Sequence, residues 1–113
     1  MKDIVSLTKD YGTCLVEGIG YHIIGEFGNE KKSKKNAIKI LNNAAKLLSK
    51  NVEKDGKFGR KKILKILCLI QDYGAYLVDG TGYSLLSKFD NEKYCKSKAL
   101  LSIKKIDKLK GGM

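Results

Sequence analysis

The stretch Asp10-Tyr11-Gly12-Thr13-Cys14-Leu15-Val16-Glu17-Gly18-Ile19-Gly20-Tyr21 returns sixty-two residues later as Asp72-Tyr73-Gly74-Ala75-Tyr76-Leu77-Val78-Asp79-Gly80-Thr81-Gly82-Tyr83. The correspondence extends without a gap from Ile4/Ile66 to Leu47/Leu109, and eighteen of these forty-four pairs are identical. The chain is therefore an internal duplication, and the architecture must be one that two copies of the same unit can build together.

Within each copy the apolar residues recur at helical spacing. Ile4, Leu7, Tyr11, Cys14 and Leu15 fall on one side of a helix at 100° per residue, whereas Ile19, Ile23, Ile24 and Phe27 fall a third of a turn or more away. Each interior glycine also costs about 1 kcal/mol against alanine in a helix. The rotated face and the paired glycines together predict a break or kink at Gly18–Gly20 and again at Gly80–Gly82. A β-hairpin with its turn at Val16-Glu17-Gly18-Ile19 and Val78-Asp79-Gly80-Thr81 is the competing reading, since Asp-Gly favours a type I′ turn. The flanks fit helical periods better than alternation, and Val and Thr are few.

After this segment, Gly28-Asn29-Glu30 reads as a joint: a helix stop, an N-cap and an acid placed where a helix dipole favours it. Asp90-Asn91-Glu92 repeats the cap and the acid. A second helix over about residues 30–50 is expected to bury Ala37, Ile38, Leu41, Ala44, Ala45 and Leu48, with Lys35, Lys39, Lys46 and Lys50 as a stripe on the other side. Its counterpart over about 92–109 pairs Leu100, Ile103, Ile106 and Leu109 with Lys98, Lys104, Lys105 and Lys108. The fold class that follows is all-α. Two tandem helix-pair repeats related by a pseudo-twofold form a four-helix bundle-like single domain over 1–113, with repeat one at 1–50, a basic linker at 51–62 and repeat two at 63–110.

The net charge of +11 is segregated. Residues 1–30 sum to −3, 31–62 to +10, 63–92 to −2 and 93–113 to +6, so each copy joins a mildly acidic first half to a strongly basic second half. Such segregation gives the surface a positive side. No apolar run approaches the roughly 20 residues of a membrane span, and the N-terminal stretch lacks the pattern of a signal peptide, which places the expected protein in the cytoplasm with no membrane partner.

The chemistry of catalysis is sparse. His22 is the only histidine and its counterpart is Ser84; no nucleophile or second ligand stands at a useful spacing from it. Cys14, Cys68 and Cys95 align with Tyr76, Ser6 and Ser33 and form neither a disulfide framework nor a zinc pattern. The stretch from Asn51 to Lys62 has acids or amides at its first, third and fifth positions and Gly56 at the sixth, like a calcium loop. Lys62 stands where such a loop needs a bidentate glutamate, and no calcium site follows. Neither Gly-x-Gly piece completes a phosphate-binding motif. The retained acids Asp10/Asp72 and Glu17/Asp79 read as partners for lysines of the neighbouring helix, and the tyrosines as core residues with the hydroxyl at the edge.

No enzyme and no cofactor or metal is expected from this inventory. The expected function is binding of an RNA or DNA backbone, alone or within a nucleoprotein complex, by a diffuse site of Lys35, Lys39, Lys46, Lys50, Arg60, Lys61, Lys62, Lys104, Lys105 and Lys108. Lysine predominates over arginine, which suits phosphate contact more than base readout. The alternative is a protein–protein inhibitor or immunity protein of the kind carried by phages, plasmids or bacteriocin loci. Its positive side would meet an acidic protein surface.

Overall fold

Four helices carry the chain: α1 (Ile4–Ile23), α2 (Phe27–Asp55), α3 (Arg60–Leu85) and α4 (Phe89–Lys110). This computed structural model describes residues 3–55 and 59–110, except the side chains of 51–55, 60 and 110. The two copies turn in register: the C-termini of α1 and α3 are sixty-two residues apart, as are the N-termini of α2 and α4. Residues 51–55 and 60–62, counted with the linker in the sequence reading, are helical backbone of α2 and α3.

Of the break or kink expected at the paired glycines, a break is not there. α1 runs without interruption through Gly18 and Gly20, and α3 through Gly80 and Gly82. The rotated apolar residues Ile23, Ile24 and Phe27 are exposed, so a continuous helix has no second core to satisfy. The chain turns several residues later, where Gly25 takes a left-handed φ of 78°. There the Glu26 amide donates to the Tyr21 carbonyl at 2.8 Å and the Gly25 amide to His22 at 3.2 Å, the two bonds of a Schellman closure. The second copy repeats the closure with Lys88 donating to Tyr83 and Ser87 to Ser84. It does so with Ser87 at φ 59°, where glycine is the favoured residue. Consequently α2 and α4 begin at the phenylalanines, and Asn29 and Asn91 lie inside the first turn rather than capping it.

Each α1–α2 and α3–α4 pair is a closely packed helical hairpin, and the two hairpins join mainly through α1 against α3. Among the described residues no Cα of α2 comes within 8 Å of one of α4. The joint explains why both copies keep a Tyr-Gly pair. A Cβ on Gly12 would lie 2.6 Å from the Tyr73 ring and 2.5 Å from Leu77 Cδ1, while one on Gly74 would lie 2.6 Å from the Tyr11 ring and 2.7 Å from Leu15 Cδ1. Each helix thus seats its tyrosine and leucine over the other's glycine, a reciprocal contact that only a twofold-like arrangement produces. Gly18 and Gly80 serve a different neighbour. They face the small Ser33 and Cys95 side chains of their own hairpins, letting α2 and α4 come close.

The core lies toward one end. Ile4 and Leu7 of α1, Ile66 and Ile70 of α3, Ala44 and Leu48 of α2, and Ile106 of α4 form one buried cluster. Tyr11, Ile63, Leu47 and Leu109 are packed against it. Since this cluster unites the starts of α1 and α3 with the later turns of α2 and α4, the two hairpin tips both lie at the opposite end. The molecule is elongated: the radius of gyration is 15.2 Å, against about 13 Å for a compact chain of this length. Ile38 and Leu100, expected in the core, are instead more than half exposed on the outer sides of α2 and α4. Among the described residues no helix is long and apolar enough to cross a membrane.

Candidate nucleic-acid interface

The lysines of the sequence stripe are held outward by the same helical periodicity that buries Ala37, Ala44 and Leu48. Lys35, Lys39, Lys46 and Lys50 fall within about 60° of one another on α2, opposite the buried set. All four are exposed, as are Lys61, Lys104, Lys105 and Lys108. Lys62 is half-buried, and the Arg60 side chain lies outside the described residues.

Topology then sorts the set. Leu47 and Leu48 of α2, Ile63 of α3, and Ile106 and Leu109 of α4 all belong to or pack on the single core cluster. Their sequence neighbours Lys46, Lys50, Lys61, Lys62, Lys105 and Lys108 therefore ring that end of the molecule, with Lys104 one position further along. Lys35 and Lys39 stand apart: Lys35 is eleven residues before Lys46, or about 16 Å along the helix. Lys39 borders a shallow groove between α1 and α2 with Leu7, Asp10, Cys14, Asn36, Ile40 and Asn43. The lysines near the C-terminus of α4 also oppose the negative end of the helix dipole, so the fold gains from placing them there. What this end offers chemically is a group of flexible point charges suited to anionic oxygens.

His22, the one histidine, is placed elsewhere and has a partner. His22 sits at the first hairpin tip with Nδ1 3.1 Å from Glu30 Oε1, and its ring meets Phe27 edge-on with centroids 5.6 Å apart. Lys34 Nζ adds a contact of 3.2 Å to the other oxygen of Glu30. The His22 hydrogen bond, with that of Lys34, holds the Glu30 carboxyl below its ordinary range. The second copy keeps the one-turn pair, Lys96 to Glu92 at 3.3 Å. Both of these one-turn pairs lie within a single helix, α2 or α4.

The Cys95 thiol is pushed up by burial and then by the nearby Asp79 charge. Cys14 is pushed up by burial, with Glu17 and Asp10 adding to it. Such thiols are poor nucleophiles. Cys68 is exposed. Among the described residues no three His, Cys, Asp or Glu side chains gather where a metal ion could sit. Part of the calcium-loop-like stretch, residues 56–58, lies outside the described residues.

Two features are not evident from spacing within one copy. One is the reciprocal Tyr-over-Gly contact, signalled only by the retention of Tyr11-Gly12 and Tyr73-Gly74 as units. The other is the pair of apolar hairpin tips, Ile23, Ile24 and Phe27 with Leu85, Leu86 and Phe89, all between 56% and 69% exposed. Comparison with family models, with curated proteins and with solved structures finds no match to this chain.

Proposed function

We propose that the protein is a non-catalytic binder of a nucleic-acid backbone, with the core end of the bundle as its contact surface. The observation that carries the reading is the convergence of Lys46, Lys50, Lys61, Lys62, Lys105 and Lys108 around one end. They arrive there from three helices, whereas the lysines beside the apolar tips at the opposite end, Lys31, Lys34, Lys88, Lys93 and Lys96, stand among Glu26, Glu30, Asp90 and Glu92. Lysines gathered from separate helices give phosphates several simultaneous contacts, and binding by such contacts releases counterions and falls steeply with salt. Lys35 and Lys39 would extend the surface along α2 for a longer strand. The predominance of lysine implies backbone contact with little choice of sequence.

The test is an affinity measurement on mixed-sequence RNA and DNA across a salt series, with the variant Lys46→Glu/Lys61→Glu/Lys105→Glu/Lys108→Glu as comparison. All four positions are exposed, so the folded state should survive the change. Binding should weaken by orders of magnitude between about 50 and 200 mM salt and be lost in the variant. An inhibitor acting on an acidic protein surface would use the same lysines. Material purified from the native source and treated with nuclease separates the two, because a protein that remains bound at high salt would favour the inhibitor.

A further inference from the structure

The two hairpin tips are the least expected part of the surface. Ile23, Ile24 and Phe27 at one tip and Leu85, Leu86 and Phe89 at the other are large, exposed, and matched in kind between the copies. Contiguous apolar side chains at an exposed tip mark a contact site more often than they occur by accident. Taking about 100 Å² of exposed surface for each of the six, against the 150–250 Å² an aromatic side chain can bury, one chain offers roughly 600 Å². Covered by an equal surface, that totals about 1,200 Å², at the lower edge of specific protein interfaces.

One difference between the tips identifies the occupant. Of the forty-four aligned pairs, Glu26/Lys88 is the only one in which an acid matches a base. Both residues are exposed and sit immediately before the tip phenylalanines, where their carbonyls accept the Glu30 and Glu92 amides. Asp90, the counterpart of Gly28, lines one shallow groove with Lys88 and Phe89, so the second tip carries an acid beside its base where the first has Glu26 and glycine. The tips are thus alike in apolar content and opposite in charge at one matching position.

We propose that the tips are the dimerisation surface of this protein, tip one of each chain seated on tip two of its partner. Two chains can meet tip to tip about a twofold axis in either of two ways. An axis along the line joining the tips sets like against like, bringing two Glu26 carboxylates together and two Lys88 ammoniums together. An axis perpendicular to that line sets tip one on tip two at both contacts, and Glu26 meets the partner's Lys88 twice. The arrangement is closed and isologous, so it stops at two chains. Like charges brought together disfavour the first arrangement, and the second is selected. The basic ends then lie at opposite extremes of the dimer. Association therefore does not depend on whether they bind nucleic acid.

The mass of the full chain in solution tests the proposal, by sedimentation equilibrium in enough salt to screen the +11 charge of each chain. A dimer should predominate at about 100 μM and dissociate near 1 μM, as a contact of this size implies. Lys88→Glu should weaken it about tenfold although it lowers the net charge and with it the general repulsion; Glu26→Lys should also weaken it, and the double exchange should restore it to within about threefold. Phe27→Ser/Phe89→Ser should leave only monomer with unchanged helix content. A monomer at about 100 μM would overturn the proposal, as would tighter association of Lys88→Glu, or failure of the double exchange to restore the dimer. Phenylalanine-dependent sedimentation with anionic vesicles by a chain that stays monomeric would assign the tips to a lipid surface and overturn it equally.

Discussion

Replacing Gly12 by alanine should separate two roles of glycine that the repeat keeps side by side. Inside a helix the change alone is worth about 1 kcal/mol of stabilisation. At position 12 the new methyl would sit 2.5 Å from Leu77 Cδ1 and 2.6 Å from a Tyr73 ring carbon. The leucine end can rotate, but the ring is anchored in the helix crossing, and overpacking of this kind costs about 1–3 kcal/mol. The net expectation is a loss of about 1 kcal/mol. Gly20→Ala meets nothing within 4 Å and should gain up to about 1 kcal/mol. In urea unfolding, with a slope of about 2 kcal/mol/M, the two variants should differ by about 1 M in midpoint and lie on opposite sides of the parent. Gly74→Ala should behave like Gly12→Ala and Gly82→Ala like Gly20→Ala. Equal stabilisation by all four would refute the reciprocal packing of tyrosine over glycine that joins the two copies.

The turns and the ionisable groups give further expectations. Ser87→Gly should stabilise by about 1 kcal/mol, because a left-handed serine carries a steric cost that glycine does not, while Gly25→Ala should destabilise by a similar amount; thermal unfolding reads both. Burial holds the Cys14, Cys95 and Tyr73 groups above their ordinary ranges. Below about pH 8.5 these groups are protonated in the folded and unfolded chain alike, and their contribution to stability is fully present. Above it the unfolded chain ionises first, so stability should fall as pH rises until the folded groups ionise too, as denaturant midpoints across alkaline pH would show. Glu30 has the opposite sign. Its lowered carboxyl adds stability above the usual carboxylate range that is lost as pH falls through the folded value, and Glu30→Gln should flatten that acid limb. Alkylation at neutral pH should modify exposed Cys68 well before Cys95.

Much of the architecture was legible because duplication and helical period are local or near-local signals. The lysine stripe opposite Ala37 and Ala44 and the pairing of helices within each copy follow from spacing alone. A break at Gly18–Gly20 follows from the sequence only if apolar residues are buried ones; Ile23, Ile24 and Phe27 rotate away from the core and stay in solvent. Gly12 was unexplained because its reason is a ring and a leucine some sixty residues distant, which periodicity within one copy cannot reveal. The basic residues were found by type and angle. Their convergence was not, since bringing Lys46, Lys61 and Lys105 to one end depends on α1 and α3 running side by side in the same direction. Ile38 and Leu100 were assigned to the core from their apolarity, but the hairpins flank each other through α1 and α3 and leave the outer sides of α2 and α4 uncovered.

The most direct test of the central claim is the slope of log affinity against log salt for a mixed-sequence duplex, measured by fluorescence anisotropy on the parent chain. If five to seven lysines of the core end engage phosphates, the slope should be about −4 to −6, and reversing Lys46, Lys61, Lys105 and Lys108 together should abolish binding. A slope near zero, absence of binding at low salt, or undiminished binding by the reversed variant would contradict it.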